Sequence, residues 1–133
     1  LAKQLSKRFK VMTVDDSPYL VRRIHLLMND IEGVDFLGNA STLPDALRLM
    51  DDLKPDVAIV DIQLDKKNPD ENGISLLKTA KEMFPELTII MLTNFSMAPY
   101  RKRCLQLGAD FFFDKSVDFE KIPSVLKKLI TTN

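Results

Sequence analysis

With one cysteine in 133 residues, Cys104, the chain has no internal disulfide to hold it together, which fits a reducing compartment. A charge bias is missing as well: 19 basic residues balance 19 acidic ones. This excludes an overall field that would draw the chain to nucleic acid or an anionic membrane, so a direct nucleic-acid partner is not expected, and any DNA contact falls to something else. Long apolar runs are absent. The longest reach about five residues, against the roughly 20 that a membrane-spanning helix needs. The start Leu1-Ala2-Lys3-Gln4-Leu5-Ser6-Lys7-Arg8 has no apolar signal-peptide core. A cytoplasmic location without membrane association is the resulting expectation. Repeats, low-complexity tracts and internal linkers are also lacking, which predicts one domain over residues 1–133 with its core at about 8–130. The chain does not begin with Met, which points to a domain excised from a longer protein.

What is present is an ordinary globular composition, 45% hydrophobic and 29% charged, arranged as short apolar runs between helix-like segments. The spacing predicts strands at residues 9–14, 34–38, 57–60, 87–92 and 110–114. Between them fall amphipathic helices. Ser17 and Pro18 suit a helix start, and Leu20, Ile24, Leu27, Met28 and Ile31 share one face until Gly33 stops the helix. Ser41, Thr42 and Pro44 open a second helix carrying Ala46, Leu47, Leu49, Met50 and Leu53, closed by Pro55. Gly73 leads into a third with Ile74, Leu76, Leu77, Ala80 and Met83, ended by Pro85. A fourth starts at Pro99 and stops at Gly108, and a fifth runs from Ile122-Pro123 to about Ile130. Strands alternating with helices and joined by right-handed crossovers predict an α/β fold. The expected form is a doubly wound, five-stranded parallel sheet flanked by five helices in a three-layer sandwich, since a barrel would need eight units.

In such sheets the ligand site lies beyond the carboxyl ends of the strands. Asp15 and Asp16 follow the first run, Asp61 the third, Thr93 stands at the end of the fourth and Lys115 follows the fifth. Three carboxylates brought together repel one another unless a cation is shared or a pKa is raised, and magnesium, which takes oxygen ligands and phosphate oxygens, is the natural cation. Asp61, alone at the end of the most apolar strand, is expected to be the deepest and best fixed, and so the best nucleophile candidate. An aspartyl phosphate needs its charge balanced, by the metal on one phosphoryl oxygen, the Lys115 ammonium on a second and the Thr93 hydroxyl on a third. The inventory suits phosphoryl transfer. It suits acyl or glycosyl transfer poorly, because no Ser-His pair appears and no carboxylate is obviously held as a general acid.

Val14-Asp15-Asp16-Ser17, Val60-Asp61, Leu92-Thr93 and Gly108-Ala109 followed by Asp114-Lys115, in that order, make the chain from Arg8 to Leu129 resemble the receiver domain of two-component response regulators, including the chemotaxis type. The resemblance implies a flavodoxin-like sheet ordered 2-1-3-4-5 and a phosphoryl group received on Asp61 from a histidine kinase or phosphotransfer protein. It implies Mg2+ held by Asp16, Asp61 and the main-chain carbonyl of Gln63, with Asp15 acting largely through water. Thr93 and Phe112 would be the switch residues. The face formed by the fourth helix, fifth strand and fifth helix would meet a second copy or an output domain. Such a protein is a phosphorylation-dependent signalling switch that catalyses its own phosphorylation and dephosphorylation without being a turnover enzyme.

The sequence departs from the family pattern in three places. Pro69 and Gly73 come four residues late after Asp61, as if Asp65-Lys66-Lys67-Asn68 were inserted beside the site. Ser116 replaces the usual Pro after Lys115, so the cis peptide common there is not expected, a non-Pro cis bond costing about 3 kcal/mol. Asn94 stands where a small residue is usual and, with Phe95, is expected to narrow the water entrance and prolong the life of the phosphoryl group. Elsewhere the readings are plain. His25 is an ordinary polar residue at a helix edge, Cys104 an apolar filler, and Arg101-Lys102-Arg103 and Lys127-Lys128 are solvated surface. Tyr19 and Leu26, nearly opposite the core face of the first helix, make a contact patch for the phosphodonor protein. Two rival functions are a magnesium-dependent aspartyl-phosphate phosphatase of the dehalogenase-like class, which needs a second Asp where Gln63 stands, and a pseudo-receiver that acts without phosphorylation.

Overall fold

Five short strands, β1 (Phe9–Val14), β2 (Val34–Ala40), β3 (Val57–Val60), β4 (Thr88–Thr93) and β5 (Phe111–Asp114), pair in parallel in the order β2-β1-β3-β4-β5. The computed structural model describes residues 8–64 and 71–132. Because successive side chains of a strand point to opposite faces, the near-continuous apolar runs serve two cores at once. Met12, Val14, Ala58, Val60, Ile89, Met91 and Phe112 enter one core. Val11, Val57, Ile59, Ile90 and Leu92 enter the other. Each such aliphatic side chain taken out of water contributes about 1.5–3 kcal/mol before the entropy of ordering it is subtracted.

The helices cover the two faces unequally. α1 (Pro18–Asn29) and α5 (Ile122–Thr132) pack on the second core through Leu20, Ile24, Met28, Ile122 and Leu126. On the first core lie α2 (Leu43–Leu53), α3 (Gly73–Met83) and α4 (Ala98–Gln106), with Ala46, Met50, Leu76, Leu77, Ala80 and Cys104. Their starts are set by local chemistry. The Ser17 hydroxyl accepts from the Leu20 N–H at 3.3 Å, Thr42 from Asp45 at 3.3 Å, and the Asn72 side chain from Ile74 at 2.8 Å and Ser75 at 3.2 Å. Each satisfies amide groups that a helix start leaves unpaired. Cys104 is buried as expected of an apolar filler, and burial pushes its thiol up to about 11.

Several expectations need correction. Leu53 and Met83, grouped by sequence with the apolar residues of their helices, are 37% and 53% exposed. Both stand in the last turn of their helices, where helical spacing continues but the sheet face no longer lies beneath. β2 runs on to Ala40, past the predicted end at Gly38, because Asn39 and Ala40 pair with Thr13 and Val14. Leu37 is skipped in the register between Val11↔Phe36 and Met12↔Gly38, and Gly38 takes φ +146° at this irregularity. A 3₁₀ turn at Phe119–Lys121, not foreseen, precedes α5. The inserted segment Asp65-Lys66-Lys67-Asn68 and Pro69 lie outside the described residues. Among the described residues no helix is long and apolar enough to cross a membrane, and no peptide bond is cis.

Candidate functional site

β1 and β3 are neighbours, and their register pairs Val14 with Val60, so the next residues, Asp15 and Asp61, emerge side by side at the carboxyl edge. On the other side of β3, the pairing of Thr93 with Asp114 brings Lys115 just past the end of β4. The point between β1 and β3 is where the strand order reverses, the usual location of a ligand crevice in an open α/β sheet. Lys115 Nζ lies 2.9 Å from Asp61 Oδ2 and 3.0 Å from Asp15 Oδ2. Gln63 N–H donates to the second oxygen of Asp61 at 3.3 Å, and Ser17 N–H to that of Asp15 at 2.8 Å. Asp16 is exposed beside them.

The expectation that Asp61 is the deepest carboxylate does not hold. The side chains of Asp15 and Asp61 are 4% and 6% exposed, because both end interior strands and both are covered from above by Lys115. Burial raises the Asp15 carboxyl above its ordinary range, while the Ser17 amide and Lys115 pull the other way. Burial by itself would lower the Lys115 ammonium, but the hydrogen bonds and charges of Asp61 and Asp15 outweigh it and hold the group above its usual value.

One ligand atom from each of Asp15, Asp16 and Asp61 lies within 4.8 Å of the others. Among the described residues only Lys115 is paired with these carboxylates, so three negative charges meet one ammonium there, an excess that matches a divalent cation, and the all-oxygen donor set suits a hard one. The acidic cluster can therefore bind a metal. It opens on a cleft of about 450 Å³ lined by Asp16, Tyr19, Arg23, Gln63, Thr93 and Phe95, among others. Thr93 is fully buried, and its hydroxyl oxygen accepts from the Phe95 N–H at 3.0 Å.

Phe112 stands apart from the cleft. It is buried in the first core, its carbonyl accepts from Arg101 at 3.2 Å, and the Arg101 guanidinium carbon lies 5.7 Å from its ring centroid. All the other predicted site residues reach the one rim.

Sequence reasoning passed over several supports of the site. Gly73 N–H donates to the Ile62 carbonyl at 2.7 Å, and a Cβ at Gly73 would stand 2.0 Å from the Asp61 carbonyl oxygen. The start of α3 is thus pressed against the backbone of Asp61, and the late spacing of Gly73 was the only sign of it. Asn39 donates to the Asp15 carbonyl at 3.0 Å and accepts from the Thr13 hydroxyl at 2.7 Å, which ties β2 to the acidic loop. Asp114 accepts from Ser96 and from the Ser116 and Val117 amides at 2.7 and 3.1 Å, shaping the turn that carries Lys115. Gln63 is exposed at the place where a dehalogenase-like phosphatase requires a second aspartate.

Comparison with known proteins agrees with this geometry. The family model described as the response regulator receiver domain matches residues 11–127. The response regulator GacA of Pseudomonas aeruginosa is 27% identical over 120 residues, covering 90% of this chain and 54% of that protein. A protein-glutamate methylesterase/protein-glutamine glutaminase of Clostridium acetobutylicum is 32% identical over 111 residues, covering 82% of this chain and 31% of that one. The chain thus spans about half the length of the first relative and under a third of the second. Among solved structures, the isolated REC domain of RcsB from Salmonella enterica serovar Typhimurium, in the presence of the phosphomimetic BeF3−, superposes with a TM-score of 0.85 at 25% identity. It covers 94% of this chain and 90% of that one. The response regulator domain of Thermotoga maritima CheB gives 0.78 at 25% identity, covering 95% and 96%. With the same strand order, the acidic cluster at the switch point and a family match over most of its length, the chain belongs to the receiver domains of two-component response regulators.

Proposed function

We propose that Asp61 is the phosphoacceptor and that residues 1–133 form a single receiver domain working in the cytoplasm. The observation that carries the assignment is the Asp61 carboxylate itself, buried at the end of a central strand, bonded to Lys115 at 2.9 Å and clustered with Asp15 and Asp16. A carboxylate oxygen of Asp61 attacks phosphorus as the bond from phosphorus to the donor atom breaks, and the donor leaves with that electron pair. Lys115 and Thr93 hold two of the phosphoryl oxygens. Asp15, Asp16 and Asp61, with the main-chain carbonyl of Gln63, would hold Mg2+, and the ion would supply positive charge to offset that of the carboxylates and the phosphoryl group. The donor is a histidine kinase or phosphotransfer protein. Loss of the Thr93–Phe95 hydrogen bond in favour of the phosphoryl group, with repacking of Phe112 beneath Arg101, would carry the signal to the surface of α4, β5 and α5, where a second copy or an output domain pairs. The balanced charge of the chain supports the reading that any DNA contact belongs to an output domain; the response regulator RcsB, a similar structure, is solved in complex with DNA.

The test is labelling by a small phosphodonor with and without magnesium. Asp61→Asn should abolish labelling and Asp16→Ala should weaken magnesium binding measured by calorimetry. Phosphate on Asp61→Asn protein that resists hydroxylamine would overturn the assignment.

A further inference from the structure

Arg23 sits on α1 at the mouth of the same cleft, lining it with Tyr19, Asp61 and Lys115. Its guanidinium carbon lies 4.2 Å from the Phe119 ring centroid and 5.9 Å from that of Tyr19. One ring comes from the turn before α5 and the other from α1 itself, so two elements restrict where the guanidinium can go. None of the ion pairs among the described residues involves Arg23. Lys115, the other basic group lining the cleft among the described residues, is engaged by Asp61 and Asp15. Among the described residues, Arg23 is therefore the cation of the cleft with its donors unspent. Its planar fork matches two oxygens of a phosphate, whereas the carboxylates below repel an approaching anion.

We propose that Arg23 is a donor-binding, specificity-determining residue: it receives the phosphoryl dianion of the phosphodonor at the cleft mouth and so favours donors of higher negative charge. The inference rests on the reading of Asp61 as phosphoacceptor. With acetyl phosphate the bond from phosphorus to the acetyl oxygen breaks, acetate leaves with the electron pair and an Asp61 oxygen bonds to phosphorus. With phosphoramidate the phosphorus–nitrogen bond breaks and ammonia leaves with the protons it already carries.

The experiment compares these two donors, the first a dianion near neutral pH and the second a monoanion, on parent, Arg23→Gln and Arg23→Lys proteins in magnesium. For Arg23→Gln the acetyl phosphate concentration giving half the limiting rate should rise roughly two- to fivefold, the range for a partly exposed charge pair, with the effect on that concentration rather than on the limiting rate. The rise should be smaller for phosphoramidate, should shrink as salt is added and should be only partly reversed in Arg23→Lys, which keeps the charge but not the planar fork. Equal changes for both donors, a fall in limiting rate alone, or no change for acetyl phosphate would overturn the proposal. A second readout avoids turnover: the Arg23 Nε–H resonance should shift on titration with inorganic phosphate, and no shift counts against it. Labelling of Asp61→Asn is read on a separate protein, so failure of the phosphoacceptor reading is told apart from failure of Arg23.

Discussion

At the scale of single residues, Gly73 is where sequence and site meet most tightly. A methyl group there would sit 2.0 Å from the Asp61 carbonyl oxygen, which is backbone and has little room to yield. Gly73→Ala is expected to destabilise the fold by about 1–3 kcal/mol and to displace Asp61. Urea denaturation and the Asp61 amide resonance check this, and an unaltered midpoint would mean that the start of α3 gives way freely. Phe95 supports a second expectation. Its ring is stacked on Tyr100 at 5.6 Å and half-buried at the cleft wall, and on the proposed function it stands beside the route by which water would reach a phosphorylated Asp61. Phe95→Ala combined with Asn94→Ala should lose phosphate faster, by about tenfold if the obstruction adds about 1.4 kcal/mol to the barrier. Equal or slower loss, measured by decay of the labelled protein, would place the control of lifetime elsewhere.

Among the elements, α1 has the most to explain on its outer face. Tyr19 and Leu26 are 72% and 58% exposed, as the helical spacing predicts, while Leu20, Ile24 and Met28 are buried. Tyr19 lines the cleft and leans toward Arg23, which makes Leu26 the cleaner probe of partner docking. Leu26→Ser should slow phosphoryl transfer from the cognate kinase or phosphotransfer protein severalfold while labelling by acetyl phosphate proceeds as in the parent. Equal slowing with both donors would remove the docking role. Unlike α1, α2 and α3, α4 has an N-cap residue, Met97, that makes no side-chain cap, and only Cys104 of its own residues is buried. Beside the packing of Cys104 and Tyr100 on the first core, Arg101 donates to the Phe112 carbonyl, and Ser96, in the loop before the helix, donates to Asp114. Those hydrogen bonds join the helix and the loop before it to β5, the strand that leads to Lys115.

For the molecule as a whole, the loop after β5 is expected to make folding sensitive to acid. Asp114 is held below the usual carboxylate range, first by the Ser96 hydroxyl and then by the Ser116 and Val117 amides. Asp118 is lowered first by the Asp114 amide and then by Lys121. A carboxylate with a depressed folded pKa contributes stability above its unfolded value, near 3.8, and that contribution is lost as pH falls through the folded one. Asp15, raised by burial, works in the opposite sense, gaining stability as it is protonated. The melting temperature of the metal-free protein is expected to fall below about pH 4. Asp114→Asn should flatten that fall relative to the parent. An identical acid profile in the variant would show that the loop does not contribute.

The five-stranded parallel architecture and the identity of the rim residues were legible in the sequence because both rest on local signals: apolar runs of strand length, capping residues and polar groups placed where those runs end. Asp15, Asp61, Thr93 and Lys115 needed only the rule that parallel strands present their carboxyl ends to one side. Helical spacing also separated the inner and outer faces of α1. It failed at Leu53 and Met83, because periodicity repeats past the point where a sheet lies beneath to bury it. What the chain order could not contain was set by packing between distant segments. The equal burial of Asp15 and Asp61 depends on the shared Lys115, the close approach of Gly73 to the Asp61 carbonyl on how α3 docks, and the setting of Arg23 on a ring from the turn before α5. Contacts of that kind join residues tens of positions apart, and only the tertiary structure decides their distances.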